Sequence, residues 1–395
     1  MSWRQAALQP GSERSTAGFR FNALALNRAA PLNQPSSFNT VEKVSVAFVQ
    51  TDLETEVFGR TLRTNIGVRH VKTDVDIDNF LTDGQGGFAP ANRVSEYSHT
   101  LPSASLAYNL MRDLVLRGSV GKTFKRSSVS AISKTYGVRG TGGNLEVNAG
   151  NPELLSEESS SRDWGLEWYF AKGGVLALAG YDKSFTGRLA NGESVKKFDE
   201  IGLPKSLFTS NNFTLSDNPD VTVFLPKNAE AFSIKGLELA YQQSFSFLPA
   251  PFNGLGVYGS YTKNKTLGVD RIWKGNTYSV PLVPEDAYSV AAYYEKGPVF
   301  LRVAYNHKSE WASTDTGANN YGFQRFNIAR GYLDASVGYK FNKALEVRFD
   351  AINLTNTKTY EVFREFEGRF GDENSRIEGG LQAGRGFSIS LRGNF

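Results

Sequence analysis

The chain has 395 residues, no cysteine, 39 glycines and 13% aromatic residues, with 44 lysines and arginines against 40 aspartates and glutamates. A charge this nearly balanced, without a Lys/Arg run, argues against nucleic-acid binding, and the lack of cysteine excludes disulfides and thiolate-bound metals. No apolar stretch of about 18 residues occurs, so no transmembrane helix is encoded.

The opening Met1-Ser2-Trp3-Arg4-Gln5 has neither the apolar core nor the small-residue cleavage site of a secretory signal. The chain therefore reads as soluble, or as the later part of a longer precursor. Residues 1–42 read as loop, with a partial strand around Phe19 to Leu26 and a Pro/Asn/Ser-rich stretch from Ala29 to Phe38.

From residue 43 onward the dominant signal is alternation of period two. Leu62, Ile66 and Val68 oppose Arg63, Asn65, Gly67 and Arg69. Ala104, Leu106 and Tyr108 oppose Ser103, Ser105 and Asn109. Trp164, Leu166, Trp168 and Phe170 oppose Gly165 and Glu167. Val299, Leu301, Val303 and Tyr305 oppose Arg302 and Asn306. Leu333 to Phe341 and Leu345 to Ala351 follow the same rule, joined by the hairpin at Asn342-Lys343. At the C-terminus Phe387, Ile389, Leu391 and Phe395 share one face and Ser388, Ser390 and Arg392 the other. About thirteen such segments of near ten residues or more are expected in 43–395.

The connections alternate in length. Short ones lie near Phe58-Gly59, Met111 to Asp113, Lys172-Gly173, Leu248 to Asn253, Lys296 to Pro298 and Asn342-Lys343. Long ones run near 78–95, 125–160, 188–228, 266–284, 311–330 and 355–383. Antiparallel hairpins then put all short turns at one end and all long loops at the other, the pattern of an outer-membrane β-barrel. A soluble sandwich has shorter strands of about five or six residues. Aromatic clusters near segment ends, such as Trp168-Tyr169-Phe170 and Tyr293-Tyr294, suit interfacial girdles.

No catalytic string is present, so no enzyme and no cofactor is expected. The Gly-rich stretch 137–150 fails GxGxxG, since Leu145 takes the third glycine position, and fails the P-loop for lack of Gly-Lys-Ser/Thr, so it reads as a mobile extracellular loop. His70, His99 and His307 lack ligand spacing. Asp74, Asp76 and Asp78 share a face, read as a solvated lumen face rather than a calcium rim site, because Asn79 and Gln85 break the calcium-loop pattern. Ligand-binding candidates sit on two long loops: Asp270, Arg271, Trp273 and Tyr278 on one, Trp311, Asp315, Tyr321 and Arg325 on the other. Trp and Tyr faces stack on sugar rings or flat chelates, and Arg pairs with carboxylate or phosphate. For any one of these residues an ordinary decorated loop is the plainer reading.

Four segments resemble the C-terminal barrel of TonB-dependent outer-membrane receptors: LVLRGSVGKTFKRSS at 114–128, GNPELLSEESSSRDWGLEWYF at 150–170, DAINLTN at 350–356, and the last strand ending in Phe395. Ser127 and Ser156 stand where the family commonly has proline. The resemblance implies an all-β, antiparallel transmembrane barrel, here about thirteen strands of a larger one of about 22. It implies that the chain starts mid-barrel, without plug or TonB-contact segment. It implies a bacterial outer-membrane location in lipid, TonB-dependent uptake of a siderophore, carbohydrate or vitamin-like chelate, and coupling to TonB-ExbB-ExbD through an N-terminal part. Phe387, Ile389, Leu391 and Phe395 would then form the signal read by the outer-membrane assembly machinery. The alternative is a passive porin or structural barrel.

Overall fold

Each alternating segment is a two-faced strand, and in the computed structural model thirteen of them pair into one antiparallel sheet in simple sequential order. Residues 38–82, 88–133, 136–141, 144–201, 218–229, 231–268, 272–273, 276–277, 283–313, 323–365 and 376–393 are described. The sheet strands are β1 (Asn39–Val57), β2 (Arg60–Thr82), β3 (Phe88–Asn109), β4 (Leu114–Lys125), β5 (Glu157–Ala171), β6 (Gly174–Thr186), β7 (Phe232–Ser244), β8 (Leu255–Gly268), β9 (Asp286–Lys296), β10 (Val299–Lys308), β11 (Arg330–Lys340), β12 (Leu345–Ile352) and β13 (Gly386–Gly393). Residues 19–26 lie outside the described residues. Among the described residues β1 and β13 each pair on one side only, so the sheet is open.

Directly paired residues of neighbouring strands share a face. The register carries one apolar row across six strands: Ile389 pairs with Phe349, Phe349 with Val337, Val337 with Leu301, Leu301 with Tyr294, and Tyr294 with Leu255. Ile389 is 77% exposed, and Phe387 and Leu391 are exposed beside it. No second protein layer covers this face among the described residues, so its greasy side chains have no apolar cover there.

The opposite face is polar and satisfies itself. Arg63 meets Glu54 at 3.3 Å and Asn65 donates to Asp52 at 2.6 Å. Arg117 meets Glu167 at 2.9 Å, and Tyr169 donates to the same carboxylate. Glycines let rings lie flat on this sheet. Trp164 covers Gly180, where a Cβ would sit 2.5 Å from the indole. Phe300 covers Gly338 in the same way.

One expected loop is strand. Residues 78–95 continue the β2–β3 ladder up to Thr82 opposite Phe88, leaving only 83–87 as the connection. The cause is a second apolar stripe: Val71, Val75 and Ile77 alternate with Lys72, Asp74 and Asp76, and the stripe finds a cover. A short helix, Val129–Ser133, and Leu154 pack on it, burying Val75, Ile77, Ala131, Ile132 and Leu154 together, with Tyr97 alongside. Burial pushes the Tyr97 phenol above its ordinary pKa, and the Glu42 carboxylate adds to the effect. Thr40 and Ser133 share a hydroxyl hydrogen bond of 2.7 Å across the junction. Ile77 is 1% exposed. Ile77→Ala is expected to destabilise this tall hairpin by about 2–5 kcal/mol. Hydrogen exchange reads the effect: β2–β3 amides above Val71 should speed up while those of β11–β12 keep their rates.

The Gly-rich stretch is also ordered where described. Tyr136–Thr141 and Asn144–Ala149 form a hairpin, contrary to the mobile loop expected. Asn144–Ala149 runs parallel to Asp220–Asn228 of the next long loop, which pairs with Leu189–Lys197. Val147 and Val221 are fully buried between them. The two loops are tied by amide side chains. Asn151 donates to the Pro226 carbonyl at 3.0 Å, and Asn228 donates to the Leu155 and Gly187 carbonyls at 3.0 and 2.6 Å.

Candidate functional site

Four recesses, of about 940, 540, 410 and 380 Å³, open on the polar face among the described residues, the first and the last of them toward opposite ends of the strands. A groove of about 940 Å³ lies toward the short-turn end of β1–β6, lined by Asp52, Glu54, Arg63, Asn65, Arg117, Asp163 and Glu167. Arg63 and Arg117 are paired with Glu54 and Glu167, and Asp52 and Asp163 accept only from the neutral Asn65 and Ser119, so the groove keeps a net negative charge that does not suit an anionic ligand. A recess of about 380 Å³ lies toward the long-loop end of β8–β11, lined by Ser260, Thr262, Ser289, Asn306, Lys308, Arg330 and Tyr332. Lys308 and Arg330 face each other across β10 and β11, and neither makes an ion pair among the described residues.

Trp311 sits between these two cations. The Lys308 ammonium is 5.9 Å and the Arg330 guanidinium 4.6 Å from its ring centroid. Both distances fall in the range where a cation is attracted to an aromatic face. The ring is held by a small sheet built from two long loops. Trp311 pairs with Asn327 and Ala312 with Phe326, and Phe323–Asn327 pairs with Thr359–Glu365, which pairs with Arg376–Leu381. Ala312, Phe326 and Val362 form its core. The Arg325 guanidinium lies 5.1 Å from the Phe363 ring centroid, and the Arg325 carbonyl accepts from Ser313 at 3.0 Å.

Of the eight loop candidates, Trp311 and Arg325 are therefore brought into one small sheet. Trp273 lies in a two-residue hairpin, paired with Asn276. Asp270, Arg271, Tyr278, Asp315 and Tyr321 lie outside the described residues. Sequence reasoning missed Lys308 and Arg330. A signal was available: they end and begin the strands flanking the Trp311 loop, on the polar parity of Arg302 and Asn306.

The aspartate triad is placed differently from expectation. β2 carries no bulge, so Asp74, Asp76 and Asp78 share the face of Ile66 and Val68, not the lumen face of Arg63 and Asn65. Asn92 donates to Asp76 and Asp78 at 2.6 and 2.9 Å, and Lys72 meets Asp74 at 3.4 Å. Hydrogen bonds to Glu96 and Asp74 hold the Lys72 ammonium above its ordinary pKa. Among the described residues no group of three or more His, Asp or Glu is positioned to hold a metal ion.

Motif DAINLTN acts as a clamp below the small sheet. Asn353, with φ 56° and only 4% exposed, donates its backbone N–H to the Asp334 carboxylate at 2.8 Å. Its side chain donates to the Gly384 carbonyl at 2.9 Å and accepts from the Thr357 N–H at 2.8 Å.

The profile of a known family, the TonB-dependent receptor-like β-barrel, matches residues 3–354. The chain belongs to that family. Solved structures of similar fold include the ferric enterobactin receptor of Pseudomonas aeruginosa, 13% identical with a TM-score of 0.55, matching 90% of this chain and 55% of that one. The siderophore receptor PirA of Acinetobacter baumannii is likewise 13% identical, with a TM-score of 0.56 and the same coverage. The copper transporter OprC is 13% identical with a TM-score of 0.57, over 90% of this chain and 48% of that one. No curated protein matches the sequence. This receptor chain thus spans about half the length of the solved structures it matches. The thirteen strands are an unclosed part of an antiparallel transmembrane barrel.

Proposed function

We propose that this receptor chain serves TonB-dependent uptake of an anionic metal chelate of the siderophore class across the bacterial outer membrane. The carrying observation is the pair of unmatched cations, Lys308 and Arg330, flanking the Trp311 ring on the lumen wall at the long-loop mouth. Charge-assisted hydrogen bonds suit carboxylate or catecholate oxygens, and the indole face suits a flat chelate ring. Arg325, in the same small sheet as Trp311, would extend this site.

The unpartnered apolar face would contact lipid, with the short turns periplasmic and the long loops outside. Phe387, Ile389, Leu391 and Phe395 would present the assembly signal. Energy would come from TonB-ExbB-ExbD, with no bond in the ligand made or broken.

The test uses cells carrying the whole receptor, with and without TonB, and ferric enterobactin as probe. Lys308→Gln with Arg330→Gln is expected to lower probe affinity by about thirtyfold to 150-fold, since each charged hydrogen bond, worth roughly 1.5–3 kcal/mol, is exchanged for a neutral one worth roughly 0.5–1.5 kcal/mol. Uptake should vanish without TonB. Unchanged affinity in the double variant would remove the site, and uptake independent of TonB would favour a passive pore.

A further inference from the structure

Along the apolar face the strands change character at a common step toward the long loops. On β4 Leu114, Leu116 and Val120 give way to Lys122. On β5 Trp168, Leu166 and Trp164 give way to Arg162, and on β7 Tyr241, Leu239 and Leu237 give way to Lys235.

The register gathers these rim residues. Arg162 pairs with Asp182, Asp182 with Lys235, and Lys235 with Lys265, making one continuous outward row over β5–β8. The next row toward the loops joins Lys122, Ser160, Ser184 and Ser233. Four cations thus stand among three serine hydroxyls with a single carboxylate. That carboxylate is used: Lys235 meets Asp182 at 3.1 Å. Lys122, Arg162 and Lys265 are exposed and make no ion pair among the described residues.

Directly beneath Arg162, Trp164 lies over Gly180 with its ring against the sheet. Tryptophan favours the headgroup level of a bilayer, so it marks where the hydrocarbon ends. Cations just above that level meet headgroup phosphates and are attracted to them. Serine hydroxyls add donors to the same oxygens.

We propose that the outward patch of Lys122, Arg162, Lys235 and Lys265, with its serines, is a binding site for the phosphate headgroup of an outer-leaflet lipid. The proposal rests on the barrel reading, because only there does this face meet lipid. The patch is distinct from the Lys308–Trp311–Arg330 site, which lies on the opposite face of the sheet.

The experiment takes the whole receptor, extracted in mild detergent, and counts retained lipids by native mass spectrometry. The probes are phosphatidylglycerol and phosphatidylcholine, offered in equal amounts. Wild type is expected to retain phosphatidylglycerol preferentially. The Arg162→Gln, Lys235→Gln, Lys265→Gln triple variant should lose that preference by about tenfold or more. The conservative set Arg162→Lys, Lys235→Arg, Lys265→Arg should keep it, as should Lys183→Gln on the lumen face. Heat-modifiable gel mobility reports that each variant is folded.

Equal loss in the Lys183→Gln control, or an unchanged preference in the triple variant, overturns the proposal. So does full displacement of phosphatidylglycerol by inorganic phosphate, which would make the patch a site for a free anion. If wild type retains neither lipid and shows no heat-modifiable form, the barrel reading itself fails.

Discussion

An Ile389→Lys variant is expected to be lost from the outer membrane, whereas Ser390→Lys should accumulate as wild type does. The two positions are adjacent, so propensity, loop proximity and chain position are nearly equal. They differ in face. Ile389 is 77% exposed in a row with Phe349, Val337 and Leu301. Ser390 pairs with Arg348 on the polar wall. A lysine facing the middle of the bilayer costs about 2–4 kcal/mol, and one facing the lumen costs little. Strand β13 also carries Phe387, Ile389 and Leu391 of the proposed assembly signal, while Phe395 lies outside the described residues, so the cost falls on insertion as well as on the folded state. Membrane fractionation with heat-modifiable gel mobility checks the result. Equal loss of both variants would mean that the two faces of β13 are not chemically distinct.

The second large effect is expected at Asn353. Asn353→Leu removes the acceptor of the Thr357 N–H and the donor to the Gly384 carbonyl, in a site where water has little access. It also places a branched side chain at φ 56°, where L residues other than Asn and Asp are strained. Together these should cost about 3 kcal/mol or more. The damage should centre on the turn that joins β12 to the Thr359–Glu365 strand. Asn353→Asp keeps the acceptor and the tolerated backbone and loses only the donors, so about 1–2 kcal/mol is expected. Exchange protection of the Leu354 and Thr357 amides reads both. Because Leu354 donates to the Leu333 carbonyl at 2.7 Å, loosening this turn should also reach the start of β11, three residues from the Arg330 side of the Trp311 cradle.

Several features were legible in the linear chain because their causes are local. Alternation of Phe387, Ile389 and Leu391 with Ser388 and Ser390 dictates a two-faced strand before any partner is known. Turn residues such as Gly173 and Gly297, both with positive φ, punctuate the ladder at the expected short connections. The candidate site was half legible. Trp311 stood out as an aromatic on a long loop, but Lys308 and Arg330 are 22 positions apart and meet only through the β10–β11 register.

The expectation for residues 78–95 went astray for a related reason. Asp74, Asp76 and Asp78 look like the solvated approach to a loop, and the alternating Val75 and Ile77 are covered mainly by Ala131, Ile132 and Leu154, over fifty residues downstream. Burial of that stripe supplies the free energy that extends the ladder, and nothing within the stripe itself announces its cover. The same holds for the Asn144–Ala149 strand, whose parallel partner at Asp220–Asn228 lies across a whole barrel hairpin.

The sequence by itself determined the strand count, the two faces and the alternation of short turns with long loops, since backbone geometry imposes a period of two on every strand whatever its surroundings. Tertiary structure alone decided which charges find partners and which stay unmatched, because pairing depends on registers between segments that the chain order does not set. That is why Arg117 is neutralised by Glu167 while Lys308 and Arg330 share only an indole face between them.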